Sequence, residues 1–412
     1  MQTVIEQAKK SKDSAKTLRM ATTAQKNAFL IELALLLENN EFKILAENQK
    51  DLADNPNITS AMRKRLALSD VYLKNIAKGV RELAAFPDPV GIIAKETIRK
   101  DGLKIRKVRT PIGVIACIFE SRPNVIVDVA ALCVKSGNAV IIRGGKEASN
   151  SNNILCSLIC QALEKAGLPK DSVQQLEDRR YEAIYELVEL DQYLDLVIPR
   201  GRAELIEAVS KHSRVPVIKH MRGLCHCYID GDANIQKAIA IAVNAKTSNP
   251  ATCNSVETII VHSKVSDKVM PELLKQLFEK NVEVRGDART CSYDARCKEA
   301  QESDWSEEYL DLIVSIKIVD SYEEAIAHIE KYSSGLTDSI ITENRDTAER
   351  FEQEVDSASV LVNASNRLTD GEQFGLGGEI GISTARIHMR GPMGLEDLTV
   401  TKYIVEGDGH IR

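Results

Sequence analysis

The sequence lacks an excess of positive charge: its formal net charge is -6 and its pI is near 5.8. Because nucleic acids and anionic membranes bind concentrated basic surfaces, neither partner is expected. Long apolar runs are missing too. No segment approaches the roughly 18 apolar residues of a membrane span, and the amino-terminal MQTVIEQAKKSKDSAK lacks the continuous apolar stretch of a signal peptide. These absences predict a cytoplasmic protein.

Regular cysteine spacing is also absent, although the chain has nine cysteines. Without an export signal they are predicted to be reduced thiols. Cys156 and Cys160 lie on one face of a predicted helix, where packing is the expected role. A metal site from Cys225, His226 and Cys227 is disfavoured, because adjacent residues alternate across a strand and cannot converge on one tetrahedral ion. No metal is therefore expected.

The residues that are present suffice for a large core, since 43% are hydrophobic and 28% are charged. This predicts a globular chain of about two domains. In the first ninety residues apolar positions recur at spacings of three and four, as in AFLIELALLLENNE, which predicts an outer layer of helices. From 96 to 116 short alternating segments surround Asp101-Gly102, a dipeptide that favours hairpin turns. A projecting two-stranded arm is predicted there.

Short apolar runs then alternate with helical patterns such as NNILCSLICQALEKAG and IQKAIAIAVNAK. The expected strands are IGVIACIF, NAVIIRG, LDLVIP, VPVIKH, CHCYID, VETIIVH, SIKIV, DSIIT and SVLVN. Such alternation predicts an α/β fold with parallel sheets covered by helices. The tail, LTVTKYIVEGDGHIR, is typical of an exposed strand, which we expect to pair with another subunit. Pairing with the arm of its own chain is the alternative.

Cys253 lies in a polar loop, NPATCNS, directly before one of the expected strands. Pro250 and the small residues nearby keep the thiol out of a regular element, so that the sulfur can face a cleft at a sheet edge. This placement favours a nucleophile, and the alternative is a small, partly buried hydrophobic residue.

Four distant stretches fit one scheme: RTPIGVIACIFESRPNV, AVIIRGGKEA, the Cys253 loop and EEYLDLIVSIKIV. Together with the closing FGLGGEIGISTARIHMRGPMGLEDLTVTKYI they resemble the aldehyde dehydrogenase superfamily. The closer resemblance, over essentially the whole chain, is to its acyl-phosphate-reducing branch, the gamma-glutamyl phosphate reductase (glutamate-5-semialdehyde dehydrogenase) family of proline biosynthesis.

This resemblance implies an aldehyde dehydrogenase-like α/β fold with a Rossmann-like cofactor domain. The implied domains are an NADPH-binding domain (1–95 and 112–222), an α/β catalytic domain (223–383) and a β oligomerisation arm and tail (96–111 and 384–412). Because the arm and tail of the family pair across a two-fold axis, a homodimer or higher homo-oligomer is implied.

The implied reaction is the NADPH-dependent reduction of L-glutamyl 5-phosphate to L-glutamate 5-semialdehyde and phosphate, through a thioester on Cys253. Asn124 corresponds to the oxyanion asparagine of the superfamily, and the Cys253 backbone N–H would be the second donor. From its own surroundings, Asn124 would instead be a turn residue after Pro123. No kinase domain precedes the matched segments, so functional coupling to a separate glutamate 5-kinase is implied.

The resemblance also assigns cofactor contacts. NAD-preferring relatives have Lys-Pro-Ser-Glu at a strand end, and this glutamate repels a 2'-phosphate. Here the run is Arg143-Gly-Gly-Lys146, which implies NADPH rather than NADH. The alternative for Lys146 is a solvated residue at a strand end. Gly201 is implied beneath the pyrophosphate, and Glu308 at the nicotinamide ribose.

Aldehyde-oxidising relatives have a Glu-Leu-Gly-Gly stretch whose glutamate activates water, whereas residues 220–223 here read His-Met-Arg-Gly. The missing base fits a reductase. His220 is a candidate substrate residue and proton shuttle, or a structural hydrogen-bonding residue. Arg122 and Arg390 are candidates for the anionic groups of the substrate, or partners of structural carboxylates. The alternative functions are an aldehyde dehydrogenase that forms free acids, a non-redox cysteine acyltransferase and a cofactor-binding protein without catalysis.

Overall fold

The structure, a computed structural model, describes residues 2–219 and 222–412, leaving aside the side chains of residues 60 and 61. Two compact units are present. Unit 1 comprises Met1–Lys219, Gly375–Ile382 and Pro392–Arg412, and unit 2 comprises His220–Phe374 and Ser383–Gly391. The allocation of cofactor binding and catalysis to separate domains stays a prediction.

The helices of the described chain are α1 (Val4–Leu18), α2 (Thr23–Asn39), α3 (Glu41–Asp54), α4 (Ser60–Leu66), α5 (Asp70–Ala85), α6 (Asn124–Lys135), α7 (Ser149–Lys165), α8 (Glu182–Val188), α9 (Ala203–His212), α10 (Ile235–Thr247), α11 (Ser263–Glu279), α12 (Ala288–Cys291), α13 (Tyr322–Tyr332) and α14 (Arg345–Glu354). None of them combines the length and the apolar character that a membrane crossing requires.

The described strands are β1 (Ile93–Ile98), β2 (Lys104–Pro111), β3 (Val114–Phe119), β4 (Ala139–Arg143), β5 (Val173–Gln175), β6 (Leu196–Arg200), β7 (Cys225–Ile229), β8 (Val256–His262), β9 (Glu283–Gly286), β10 (Lys298–Glu299), β11 (Ile313–Val319), β12 (Thr337–Ile341), β13 (Ser359–Val362), β14 (Ile382–Ser383), β15 (Gly391–Pro392) and β16 (Thr399–Glu406). With the helices, they confirm the predicted α/β class.

The first five helices of unit 1 confirm the helical layer predicted for the first ninety residues. Both α1 and α2 begin with a capping box, in which a threonine side chain accepts the backbone N–H three residues on. These boxes satisfy N–H groups that the first helical turn leaves unpaired. In α2, Leu30, Leu33 and Leu37 are buried, so that this face packs inside the unit.

The sheet of unit 1 has the order β5-β4-β3-β6, and its pairs are parallel. Every residue of β3 and β4 is buried, which explains why both strands are continuous apolar runs. The strand predicted over VPVIKH was wrong for the residues described there. Val217 makes only an isolated bridge to Val197. Pro216 has no N–H to extend a ladder, although its carbonyl accepts from the Val197 amide at 2.9 Å.

The predicted arm is confirmed as the antiparallel hairpin of β1 and β2. Gly102 lies at its turn with a φ of +87°, a conformation that favours glycine. The tail strand β16 pairs along β2 of the same chain, from Thr399 opposite Pro111 to Glu406 opposite Lys104. One edge of this strand is therefore paired within the chain, which is the alternative raised from the sequence, and pairing with another subunit stays a prediction. The outer strand β1 is exposed along its whole length.

Unit 2 is built on a seven-stranded sheet with the order β10-β9-β11-β8-β7-β12-β13. Its pairs are parallel. Strands β7, β8, β11, β12 and β13 were predicted, whereas the short β9 and the exposed two-residue β10 were not. The central strand β8 is buried throughout. Cys253 precedes its amino end, so the loop that carries this thiol starts from a rigid element.

Candidate active site

The Cys253 loop is a tight turn between α10 and β8. Thr252 Oγ1 donates to the Asn249 carbonyl at 2.9 Å, and the Ser255 amide donates to the Thr252 carbonyl at 3.0 Å. The next side chain, Asn254, is 3% exposed and donates through Nδ2 to the Thr369 carbonyl at 2.7 Å. Cys253 itself is partly exposed. The loop therefore presents an accessible thiol next to a buried amide that holds its backbone.

Gly223 connects Cys253 to Glu308 within unit 2. A Cβ atom added to Gly223 would lie 2.0 Å from the Cys253 carbonyl oxygen, so only glycine allows this approach. The Gly223 amide donates to Glu308 Oε1 at 2.8 Å. The same Cys253 carbonyl accepts from Cys225 Sγ at 3.3 Å. Two residues that the sequence predicted separately, Cys253 and Glu308, thus lie on either side of one glycine.

A buried ion pair lies behind the Cys253 loop. Lys246 Nζ and Glu257 Oε2 are 2.7 Å apart, and their side chains are 0% and 2% exposed. Burial raises the pKa of Glu257 to about 7, and the charge of Lys246 opposes this rise. Burial likewise lowers the pKa of Lys246. Glu257 Oε1 also accepts from the Leu310 amide at 3.4 Å, which ties β8 to the segment containing Glu308.

The sequence analysis missed this pair. The available signal was a glutamate within the apolar run VETIIVH and a lysine at the end of the apolar pattern IQKAIAIAVNAK. A charged residue at a position that should face a core usually has a charged partner. What the sequence could not supply is the identity of that partner.

In unit 1, Asn124 is the first residue of α6 rather than a turn residue. Its Nδ2 donates to Asp128 Oδ2 at 3.0 Å, one helical turn further on. The preceding bend is fixed at Ser121, which has a φ of 47° and donates to Glu147 Oε1 through its amide at 2.6 Å and its hydroxyl at 2.5 Å. Arg122 follows in the same bend. Burial raises the pKa of Tyr72, and the charge of Arg122 opposes that rise.

The Arg143 run lies at a shallow depression where β4 ends. Its lining comprises Arg143, Gly144, Gly145, Lys146, Ser149, Gln175, Leu176 and Arg179. Arg143 Nη2 donates to the Arg179 carbonyl at 3.2 Å. Arg143 Nε is buried and has no hydrogen-bond partner within residues 2–219 and 222–412. Burial lowers the pKa of this guanidinium. The depression therefore has three cationic side chains, Arg143, Lys146 and Arg179, and one N–H group without a partner, that of Arg143 Nε. Such a set suits an anion such as a phosphate.

Glu147 is the residue that follows Lys146, and its carboxylate is turned to Ser121 rather than to the depression. Its charge nevertheless acts on Arg143, and a Cβ on Gly145 would lie 2.1 Å from Glu147 Oε1. At the next strand end, a Cβ on Gly201 would lie 2.7 Å from Glu120 Oε2 and 2.9 Å from Leu205 Cδ2. The close packing before α9 thus explains a glycine here.

The other predicted substrate residues have different surroundings. His220 lies outside the described residues. Arg390 donates through Nη1 to Asp356 Oδ1 at 2.6 Å and through Nη2 to the Asp356 carbonyl at 2.7 Å. This pairing with a carboxylate is the alternative raised for Arg390 from the sequence. Its role toward a substrate stays a prediction.

The Cys225-His226-Cys227 run alternates across β7. His226 Nδ1 lies 3.1 Å from Asp338 Oδ1, whereas the thiol of Cys225 contacts the Cys253 loop. In the part of the chain that the structure describes, no group of three or more His, Cys, Asp or Glu side chains could hold a metal ion. Burial raises the pKa of Cys225 well above its usual value and that of Cys117 to about 12, which leaves both thiols unreactive.

A cavity of about 320 Å³ lies at the carboxyl ends of the unit 2 strands, lined in part by Asp230, His262, Lys264 and Arg350. His262 ends β8, whereas Cys253 precedes the first residue of this strand. The cavity and the Cys253 loop are therefore at opposite ends of the sheet.

Comparison with known proteins gives one consistent result. Residues 1–301 and 296–404 match the model of the aldehyde dehydrogenase family. The gamma-glutamyl phosphate reductase of Carboxydothermus hydrogenoformans is 47% identical over 414 residues, covering 100% of both chains. That of Ruthia magnifica is 46% identical over 404 residues, covering 98% of this chain and 96% of the relative. The crystal structure of gamma-glutamyl phosphate reductase from Thermotoga maritima is similar with a TM-score of 0.96, 42% identity and 100% coverage of both chains.

Proposed function

The chain belongs to the aldehyde dehydrogenase family, as an oxidoreductase among its gamma-glutamyl phosphate reductases, and we propose that it reduces L-glutamyl 5-phosphate to L-glutamate 5-semialdehyde and phosphate with NADPH. This reaction is a step of proline biosynthesis. The observation that supports it most is the partly exposed Cys253, whose backbone packs against Gly223, while the Gly223 amide donates to Glu308.

The Cys253 thiolate attacks the acyl carbon of the substrate, and phosphate leaves with the electron pair of the broken carbon–oxygen bond. The product of this step is a thioester on Cys253. When bound, NADPH supplies the hydride that reduces the thioester. The resulting hemithioacetal collapses to the aldehyde, and the thiolate of Cys253 is released.

Asn124 and the backbone N–H of Cys253 stabilise the oxyanions that form during both steps. The Asn124 amide has two N–H groups, of which one is donated to Asp128. The other remains for the substrate oxygen. By analogy with other acyl-transfer sites, one such donor is worth about 3 to 4 kcal/mol of transition-state stabilisation.

NADPH is preferred over NADH because the strand end that receives the 2'-position is cationic. Lys146 and Arg143 line the depression, and the unsatisfied Arg143 Nε is a donor for a phosphate oxygen. A charge-assisted contact of this kind contributes about 1.5 to 3 kcal/mol. Gly201 and Glu308 are assigned to the pyrophosphate and to the nicotinamide ribose, respectively.

Hydrolysis of the thioester is the competing reaction, and two features disfavour it. Residues 220–223 have no carboxylate where oxidising relatives have their base. The carboxylates of Glu308 and Glu257 already accept from the Gly223 amide and from Lys246. Without a positioned base, water attacks the thioester slowly. An aldehyde dehydrogenase that forms free acids is therefore the less favoured function.

We also propose that the chain forms a homo-oligomer and that its two domains have different functions. The NADPH-binding domain would comprise 1–95 and 112–222, and the catalytic domain 223–383. The arm and tail (96–111 and 384–412) leave β1 and β16 as outer strands, and an outer strand is a ready partner for a second copy. The substrate would come from a separate glutamate 5-kinase, because acyl phosphates hydrolyse readily in water.

The test is the reverse reaction, in which L-glutamate 5-semialdehyde, NADP and phosphate are combined and each is omitted in turn. NADPH should form continuously only when all three are present. Continuous formation of NADPH and glutamate without phosphate would show an acid-forming aldehyde dehydrogenase instead. Thermal protection by NADPH without any turnover would show a cofactor-binding protein, and no protection would favour the acyltransferase.

A further inference from the structure

Asp128 is the one acidic residue of α6, whose sequence is NVIVDVAALCVK. Its helical neighbours Val127 and Val129 are buried, while Asp128 keeps partial solvent access. The carboxylate lies one turn after Asn124 and accepts its Nδ2 at 3.0 Å. An ionisable group on an otherwise apolar helix, next to the residue assigned to the oxyanion, points to a ligand contact.

Among the described residues, no lysine, arginine or histidine forms an ion pair with this carboxylate. The hydrogen bond that it accepts there comes from Asn124 Nδ2 and ends on Oδ2. The charge of Arg200 is close enough to lower the pKa of Asp128. Arg200 Nη1 donates to the Ile380 carbonyl at 2.6 Å, and neither a hydrogen bond nor an ion pair joins Arg200 to Asp128 within residues 2–219 and 222–412. Asp128 Oδ1 therefore remains available to a donor from outside the chain.

Packing makes this arrangement costly for the free protein. Burial raises the pKa of Asp128 to about 6, against the Asn124 hydrogen bond and the charge of Arg200, which lower it. Tyr72 on α5, on which the charge of Arg122 also acts, is within electrostatic reach of Asp128 too. At neutral pH the carboxylate is mostly ionised, and although the charge of Arg200 reaches it, no cation among the described residues gives it the directly paired counter-charge that a partly buried anion normally has. A cationic ligand group would supply it.

We propose that Asp128 binds the α-ammonium group of the substrate through Oδ1 and thereby makes the enzyme specific for an α-amino acid. This inference rests on the proposed function. If the second N–H of Asn124 binds the oxygen on C5 of the glutamyl chain, three carbon–carbon bonds separate this carbon from the one that carries the ammonium. Two side chains one helical turn apart can contact both groups of so short a molecule.

The test compares two aldehydes in the reverse reaction, L-glutamate 5-semialdehyde and 5-oxopentanoate, which differ only in the α-ammonium group. Asp128→Asn is the decisive variant, because it removes the charge but keeps an oxygen that accepts from Asn124. It should lower kcat/KM for the amino aldehyde by roughly tenfold to a hundredfold, mostly through KM, as the loss of a charge-assisted hydrogen bond predicts. For 5-oxopentanoate kcat/KM should stay within roughly threefold. Asp13→Asn, at an exposed pair with Lys16, is the control.

Equal losses for both aldehydes would overturn the proposal, because Asp128 would then act only by orienting Asn124. The absence of any loss would overturn it too. Turnover of 5-oxopentanoate by the variant shows at the same time that it folds. If the wild-type protein does not turn over either aldehyde, the proposed function fails. The role of Asp128 can then still be tested by measuring the binding of compounds with and without the α-ammonium group. Calorimetry on the Cys253→Ser variant should then show tighter binding of L-glutamate 5-methyl ester than of monomethyl glutarate, which lacks the α-ammonium group. Adding Asp128→Asn should remove this preference. An unchanged preference would overturn the proposal.

Discussion

Gly223 packs against the backbone of Cys253 so closely that an added methyl carbon would lie 2.0 Å from the Cys253 carbonyl oxygen. The amide of the same glycine donates to Glu308 at 2.8 Å. The position of the Cys253 loop and that of the Glu308 carboxylate therefore depend on the same backbone segment at Gly223. Productive geometry in an active site has to be kept within a fraction of an ångström.

Gly223→Ala should consequently lower kcat by roughly a hundredfold, because the loop must move to make room for the methyl group. Steady-state kinetics of the reverse reaction measures this loss. Gly79→Ala is the matched control: apart from its own stretch of helix, no described atom lies within 4 Å of the added methyl, and alanine favours the helix α5. Its activity should be unchanged. Full activity of Gly223→Ala would contradict the close packing.

The buried Lys246–Glu257 pair should be important for stability. Lys246→Met leaves Glu257 without its partner and should cost about 3 to 5 kcal/mol in the free energy of unfolding. Lys237→Met breaks the exposed pair with Glu343 and should cost less than about 1 kcal/mol. Urea unfolding of both variants gives the comparison. Equal losses would mean that the burial of the first pair has no energetic consequence.

Cofactor preference should depend on Lys146. Lys146→Glu places a negative charge at the depression and should weaken NADPH binding by more than roughly tenfold, while NADH, which has no 2'-phosphate, should change little. Fluorescence titration with both cofactors measures the dissociation constants. Lys170→Glu, which is exposed and outside the depression, controls for the change in net charge. The assignment of Lys146 fails if both cofactors are weakened equally.

The pH dependence should reveal Asp128. Its pKa is raised to about 6, so the carboxyl group is protonated below this pH and cannot pair with an ammonium group. For the amino aldehyde, kcat/KM of the wild type should fall as the pH decreases through about 6. The variant Asp128→Asn should lack this decrease, since Asn124, Tyr72 and Arg200 remain in place. Persistence of the same acidic limb in the variant would assign it to another group.

Much of the fold followed from local patterns. The buried strand β3 is a continuous apolar run and β8 is largely apolar, and the turn of the arm was indicated by Asp101-Gly102. The run VPVIKH misled because hydrophobicity alone ignores the missing N–H of Pro216. The sequence of the tail predicted an exposed strand but could not identify its partner. The arm of the same chain and a second subunit both offer backbone N–H and C=O groups, so the pattern does not distinguish them.

The site was predictable only in part. The loop predicts Cys253 as a nucleophile and the family resemblance predicts Asn124 as an oxyanion donor, and both roles stay predictions. The contacts that hold them, from Gly223 to Cys253 and from Asn124 to Asp128, depend on backbone approach and on helix register. Glu257 pairs with Lys246, which lies eleven positions earlier in the chain, before the Cys253 loop. Neither propensity nor periodicity specifies such a pairing.

The most direct test of the central claim, a Cys253 thioester that is passed to phosphate rather than to water, is a burst measurement in the reverse direction. With L-glutamate 5-semialdehyde and NADP but no phosphate, the wild type should form one NADPH per active chain and then stop, and added phosphate should restart turnover. Cys253→Ser should give no burst. Continuous NADPH formation without phosphate, or a burst from Cys253→Ser, would contradict the account.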